Sequence, residues 1–140
     1  MLVNNCPNLK GVRILVVDDD VDNLDFLVFL FEEYDAQVRA VTTANEALKI
    51  LAQWQPEILI SDIAMPSFDG YMLIRTIREM SKELGGKIPA IALTAYAVET
   101  DYEEILLNAG FQKYITKPIE PTTLAIAVAD VVKTNRNPAC

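Results

Sequence analysis

The sequence predicts an α/β fold, a (βα)5 three-layer sandwich built on a five-stranded parallel sheet. Three observations predict it. Short β-branched runs alternate with helical patterns five times over, and that alternation argues for parallel strands with helices on both faces. The length of 140 residues suits one domain. A hydrophobic share of 51% against 23% charged supplies both a core and a water-facing surface.

Val12 to Val17 is a β-branched run bounded by acids, which reads as a buried first strand. Leu24, Leu27, Val28 and Phe31 then follow helical spacing, giving a helix from about Val21 to Tyr34. Gln37 to Val41 reads as the second strand. Thr43-x-x-Glu46 is a capping-box pattern that opens a helix through about Gln53, and Pro56 breaks it. Glu57 to Ser61 is the third strand. A loop with Pro66 and Gly70 follows, then Leu73, Ile74 and Ile77 mark a helix to about Lys82, ended by Gly85-Gly86. Ile88 to Leu93 is the fourth strand. A helix from about Val98 to Asn108 stops at Gly110, the favoured residue after a helix end. Tyr114 to Thr116 is a short fifth strand. Pro121 suits a first helical turn, and the last helix runs to about Lys133. Residues 1–10 read as an N-terminal extension, 11–133 as the domain and 134–140 as a tail too short for an output module. Right-handed crossovers leave few topologies for such a chain, and the flavodoxin-like order 2-1-3-4-5 is the usual one at this length.

Twenty acidic residues face twelve basic ones, a net charge of −8, so the chain repels nucleic-acid phosphates and no nucleic-acid partner is expected. There is no histidine. Ser-His-Asp and Cys-His catalysis and His-ligated zinc are therefore excluded. Cys6 and Cys140 lie at opposite ends of the chain without framework or metal spacing, and are expected to be free thiols in a reducing cytosol. The longest nearly apolar stretch, Ile88 to Val98, is short and contains Pro89 and Thr94, so no membrane insertion is expected. Met1 to Gly11 lacks an apolar signal core, and the expected location is the cytoplasm.

Ligands of open parallel sheets bind beyond the carboxyl ends of the strands. The polar residues at those ends are Asp18-Asp19-Asp20, Ser61-Asp62, Thr94 and Lys117-Pro118. Each alone has a structural explanation: Asp20 suits a helix cap, Thr94 a strand end and Lys117 a solvated loop charge. Together they converge on one rim from four separate stretches. Carboxylates this close repel one another and recruit a divalent cation. All-oxygen ligation favours Mg²⁺ over zinc. Asp18, Asp19, Asp62 and Lys117 sum to −2, which one Mg²⁺ neutralises. Such a cluster with a lysine and a hydroxyl suits acceptance of a phosphoryl group.

With these residues assembled, the chain resembles the receiver domain of bacterial two-component response regulators from Gly11 to about Lys133. The matching motifs are Val16-Val17-Asp18-Asp19, Asp62-x-x-Met65-Pro66-x-x-Asp69-Gly70, Leu93-Thr94-Ala95 and Lys117-Pro118. The segments Leu9 to Arg13, Gly85 to Ala97 and Ala109 to Gln112 look most like receivers attached to hybrid sensor histidine kinases. The resemblance implies a signalling switch that catalyses only its own phosphorylation and dephosphorylation. It implies Asp62 as phosphoacceptor. It implies Mg²⁺ held by Asp19, Asp62 and the backbone carbonyl of Ala64, with Asp18 acting through a water. Lys117 is implied to pair with phosphoryl oxygens, preceding a cis bond to Pro118. Thr94 and Tyr114 are implied as the switch pair that alters the face of helix four, strand five and helix five. The implied partners are a histidine kinase or histidine phosphotransfer domain and a protein output partner.

Further positions carry two readings each. Ala64 and Tyr96 lie where the family tunes hydrolysis; a methyl cannot orient water and a ring can cover the site, so a long-lived phosphoryl state is expected, unless Tyr96 only covers loop surface. Phe26 to Phe31 is apolar around the whole helix. Leu24, Leu27, Val28 and Phe31 suffice for the core, leaving Phe26, Phe29 and Leu30 as a thick core contact or a docking surface for a donor domain. Glu99, Asp101, Glu103 and Glu104 form a solvated acidic face on helix four, or one suited to a basic protein partner. Two other functions compete. A Mg²⁺-dependent phosphohydrolase with an aspartyl nucleophile would use Asp18-x-Asp20, but no cap segment is present. A flavodoxin-like redox binder would need a phosphate-cradling loop, where three aspartates instead repel FMN.

Overall fold

The computed structural model describes residues 7–65, 69–95 and 100–136. Five strands, β1 (Arg13–Val17), β2 (Gln37–Val41), β3 (Ile58–Asp62), β4 (Ala90–Thr94) and β5 (Lys113–Thr116), alternate with α1 (Val21–Glu32), α2 (Ala44–Trp54), α3 (Gly70–Arg78), α4 (Thr100–Ala109) and α5 (Pro121–Arg136). The sheet is wholly parallel, in the order β2-β1-β3-β4-β5. This is the predicted flavodoxin-like topology.

Successive strand residues point to opposite faces, so each strand feeds two cores. Ile14, Val16, Ile58, Ile60, Ile91 and Leu93 pack with Leu24, Leu27 and Phe31 of α1 and with Leu124 and Val128 of α5. Leu15, Val17, Leu59, Ala90 and Ala92 pack on the other face with α2, α3 and Leu106 of α4. Burial on both faces explains why the central strands read as continuous apolar runs. Each fully buried Leu, Ile or Val contributes roughly 1.5–3 kcal/mol.

Caps set the helix starts. The Asp20 carboxylate accepts the N–H groups of Asp22 and Asn23 to open α1. Thr43 Oγ1 accepts Glu46 N at 3.2 Å, the first bond of the capping box expected for α2, and the Thr43 hydroxyl, rather than its backbone N–H, donates to Glu46 Oε1. Asp69 Oδ1 accepts Met72 N to open α3.

Boundaries shift for local reasons. β4 starts at Ala90, not Ile88, because Pro89 has no N–H for the ladder. β3 and β4 each run one residue further than the pattern predicts, through Asp62 and Thr94, because their neighbours continue the register. α3 ends at Arg78, short of Lys82; Ser81 is extended, and Lys82–Leu84 form a separate 3-10 turn. α5 continues to Arg136, past Lys133. Leu9, upstream of the predicted boundary at residue 11, is buried in the α1 and α5 core.

The core stripe of α1 is rotated from the predicted one. Leu30 is buried and Val28 only half-buried, whereas Phe26 and Phe29 remain exposed. The buried set Leu24, Leu27, Leu30 and Phe31 faces both β1 and α5, which moves the stripe toward Leu30.

Among the described residues, no helix is long and apolar enough to cross a membrane.

Candidate functional site

The loops leaving β1, β3, β4 and β5 form a cleft of about 360 Å³ at the carboxyl edge of the sheet, lined by Asp18, Asp19, Asp62, Ala64, Thr94 and Lys117. Six of the seven predicted site residues therefore meet. Tyr114, the seventh, lies in β5 half-buried against the α2–α4 core and does not line the cleft. A larger cavity of about 690 Å³, lined by Arg13, Gln55, Lys82 and Lys87 among others, lies toward the amino ends of the strands. Its lining carries Glu57 and Glu83 but, among the described residues, no three acids close enough to share a cation, so size alone does not locate the chemistry.

Asp62 ends β3 and Thr94 ends β4; both are buried. Asp18 follows β1 and is also buried, while Asp19 is exposed. One carboxylate oxygen from each of Asp18, Asp19 and Asp62 lies within 4.8 Å of the others. Lys117 Nζ stands 3.2 Å from Asp62 Oδ1 and 3.8 Å from Asp18 Oδ2. The Lys117–Pro118 peptide bond is cis.

The polar groups around Asp18 are divided between its two oxygens. Asp20 N donates to Oδ1 at 2.9 Å. Asn23 Nδ2 donates to Oδ2 at 3.4 Å. Burial pushes the Asp18 carboxyl up from its ordinary value; the Asp20 N–H pulls it back, the Asp62 charge adds to the rise, and Lys117 and Asn23 oppose it. Asn23 was not singled out in the sequence. Its position five residues after a strand-end aspartate, in the first turn of the next helix, is the signal that would have found it.

Three convergent carboxylates against one ammonium leave a charge of −2, and every donor is oxygen. That set fits a hard divalent cation. The Asp20 carboxylate is taken up by the α1 cap.

Pro66, Tyr96, Glu99, Cys6 and Cys140 lie outside the described residues, as do the side chains of Asp101 and Glu103. Glu104 is exposed.

The family model of the response regulator receiver domain matches residues 14–129. The chain belongs to the response regulator receiver domain family. It is 49% identical over 116 residues to an uncharacterised 14.6 kDa protein of Leptolyngbya boryana, covering 83% of this chain and 86% of that one. It is 35% identical over 120 residues to the sensor histidine kinase GacS of Pseudomonas protegens, covering 85% of this chain but only 13% of the kinase. Among solved structures, the receiver domain of sensor histidine kinase PA1611 from Pseudomonas aeruginosa superposes with a TM-score of 0.78 at 28% identity, over 88% of this chain and 98% of that one. That receiver carries a magnesium ion coordinated in its active-site cleft.

Proposed function

We propose that this receiver is a phosphoacceptor switch of a two-component phosphorelay, with Asp62 as the acceptor. One observation carries the reading: Lys117 Nζ, 3.2 Å from Asp62 Oδ1, aims a cation at the carboxylate on which three acids converge. An Asp62 oxygen forms a bond to phosphorus, the bond from phosphorus to the donor imidazole nitrogen breaks, and its electron pair stays on that nitrogen. The chain has no histidine, so the donor imidazole comes from a histidine kinase or histidine phosphotransfer domain.

Mg²⁺, held by Asp19, Asp62 and the Ala64 carbonyl with Asp18 acting through water, would neutralise the cluster and shield the phosphoryl oxygens. Lys117 takes an equatorial oxygen and the Thr94 hydroxyl hydrogen-bonds another. Thr94 and Tyr114 lie on adjacent strands, which supports a linked movement that alters the α4–β5–α5 face for a protein output partner. The Ala64 methyl gives an attacking water no hydrogen-bond partner, which supports slow hydrolysis. Exposed Phe26 and Phe29 on α1 supply an apolar face for the donor domain. Relay partners of this kind place the domain in the cytoplasm.

The test is intact mass after incubation with acetyl phosphate and Mg²⁺. One added phosphoryl group that is lost in Asp62→Asn supports the reading. Continuous turnover of the donor in that variant overturns it.

A further inference from the structure

Asp18 Oδ2 is shared by a cation and an amide. Lys117 Nζ lies 3.8 Å from it and Asn23 Nδ2 lies 3.4 Å from it. Lys117 is nearer Asp62 Oδ1, at 3.2 Å, so one ammonium spans both acids. Its stem is flexible and its side chain keeps 26% exposure, against 1% for Asp18. A phosphoryl group arriving on Asp62 brings charged oxygens that compete for the same ammonium. Once Lys117 turns to them, buried Asp18 Oδ2 loses its cation. Asn23 is then the remaining protein donor to that oxygen among the described hydrogen bonds.

We propose that Asn23 is a positioning residue of phosphoryl transfer: its side-chain amide holds Asp18 in line while Lys117 moves from the two carboxylates to the phosphoryl oxygens. The proposal rests on Asp62 being the acceptor. Asn23 is suited to the task by its place. It stands in the first turn of α1, and its backbone N–H is held by Asp20 Oδ1 at 3.5 Å. The Asp20 backbone N–H in turn fixes Asp18 Oδ1. Residues 18, 20 and 23 thus form one closed chain of hydrogen bonds on a rigid helix end. The amide is also neutral. It aligns Asp18 without cancelling the charge that attracts a divalent cation, which a lysine or arginine here would do.

The test uses the full chain with acetyl phosphate as donor, in Asn23→Leu, which keeps the volume and removes the donor, and Asn23→Gln, which keeps a donor on a longer arm. In Asn23→Leu the phosphorylation rate at saturating Mg²⁺ and donor is expected to fall about tenfold, because a small misplacement at the reacting centre is costly. Its Mg²⁺ dissociation constant, measured calorimetrically, is expected to stay within about twofold, since Lys117 still holds Asp18 before transfer. Its thermal midpoint in EDTA is expected to fall only slightly, since the amide bond to Asp18 is long and the Asp20 N–H and Lys117 still hold that carboxylate. Asn23→Gln is expected to recover to within about threefold of the parent rate. An unchanged rate in Asn23→Leu overturns the proposal, as does a joint fall of rate, Mg²⁺ affinity and thermal midpoint. Asp62→Asn is run alongside. Uptake at the parent rate in that variant defeats the acceptor reading itself; loss of uptake there with normal Asn23→Leu kinetics defeats only the role of Asn23.

Discussion

A Cβ atom on Gly70 would stand 2.5 Å from the backbone carbonyl oxygen of Asp62 and 2.9 Å from Ile63 Cα. The first residue of α3 is therefore pressed against the backbone of Asp62, and Gly70 N donates to Ile63 O at 3.0 Å. Gly70→Ala has no flexible side chain to push aside. It is expected to cost about 2 kcal/mol in urea unfolding, as overpacking does. Because Ala64 directly follows Ile63, the same variant is expected to weaken Mg²⁺ binding by about tenfold, read by calorimetry.

Asp18 is a buried carboxyl that pays for desolvation and for the neighbouring charge of Asp62. Asp18→Asn removes both penalties and keeps an oxygen for the Asp20 N–H, but loses the weaker Lys117 and Asn23 contacts to Oδ2. In EDTA at neutral pH the variant is expected to melt at a higher temperature than the parent, because the raised Asp18 carboxyl marks a charged form that folding disfavours. Added Mg²⁺ is expected to raise the parent's midpoint more than the variant's, because binding to the folded state stabilises it in proportion to affinity. A lower midpoint for the variant in EDTA would contradict this account.

Arg78 ties two distant backbone segments to α3. Its Nε and Nη2 donate to Gly110 O at 3.1 and 2.7 Å, and Nη1 donates to Gly86 O at 3.0 Å. Burial lowers the guanidinium's proton affinity, but arginine starts far above any working pH and stays charged. Arg78→Met keeps the stem and loses the fork, and is expected to cost about 3 kcal/mol in urea unfolding. Arg78→Lys is expected to recover little of this, since one ammonium cannot reproduce the planar geometry. Phosphorylation by acetyl phosphate is expected to continue in both, as Arg78 does not line the cleft.

Glu120 caps α5, its Oε2 accepting Thr122 N at 2.9 Å and its Oε1 accepting Thr123 N at 3.1 Å. These bonds to the charged form hold its carboxyl below the ordinary value of 4.5. A carboxyl lowered by folding adds stability that is full above its unfolded value and disappears as pH falls through the folded one. Thermal midpoints of the parent and Glu120→Gln are therefore expected to differ at neutral pH, with the parent higher, and to converge on acidification below that value. Parallel curves across the whole acid range would refute the cap as the cause.

Phe29 is 66% exposed and Phe26 39% on one helix. If that face receives the donor domain, Phe26→Ser with Phe29→Ser is expected to slow transfer from a phosphorylated histidine domain by about tenfold. Transfer from acetyl phosphate, which needs no docking, is expected to be unaffected. Equal slowing from both donors would remove the face from the docking surface.

The strand-end acids, Thr94 and Lys117 were legible in the sequence because the parallel sheet brings strand ends to one edge. The topology was legible for the same reason, as the alternation of patterns survives without any tertiary knowledge. What escaped depended on contacts between distant segments. Arg78 reaches carbonyls 32 and 8 residues away, and nothing in its own neighbourhood signals that. Leu30 replaced Val28 in the core because α5 packs beside α1, a relationship outside the helix's own periodicity. Asn23 becomes notable only when the Asp18 carboxylate is placed beside it.

The two cores have a consequence for how a message would cross this domain. Counting alternate residues along the pleat, Asp18 shares the parity of Ile14 and Val16, Asp62 that of Ile58 and Ile60, and Lys117 that of Ile115, all on the α1 and α5 leaf. Thr94 shares the parity of Ala90 and Ala92, and Tyr114 packs with them, on the α2, α3 and α4 leaf. The sheet thus separates the proposed recipient, Asp62, from Tyr114 of the proposed reporter pair, while Thr94 opens onto the same cleft as Asp62 and would join the two leaves. A phosphoryl group delivered over α1 would be announced on the far side, through a wall one residue thick.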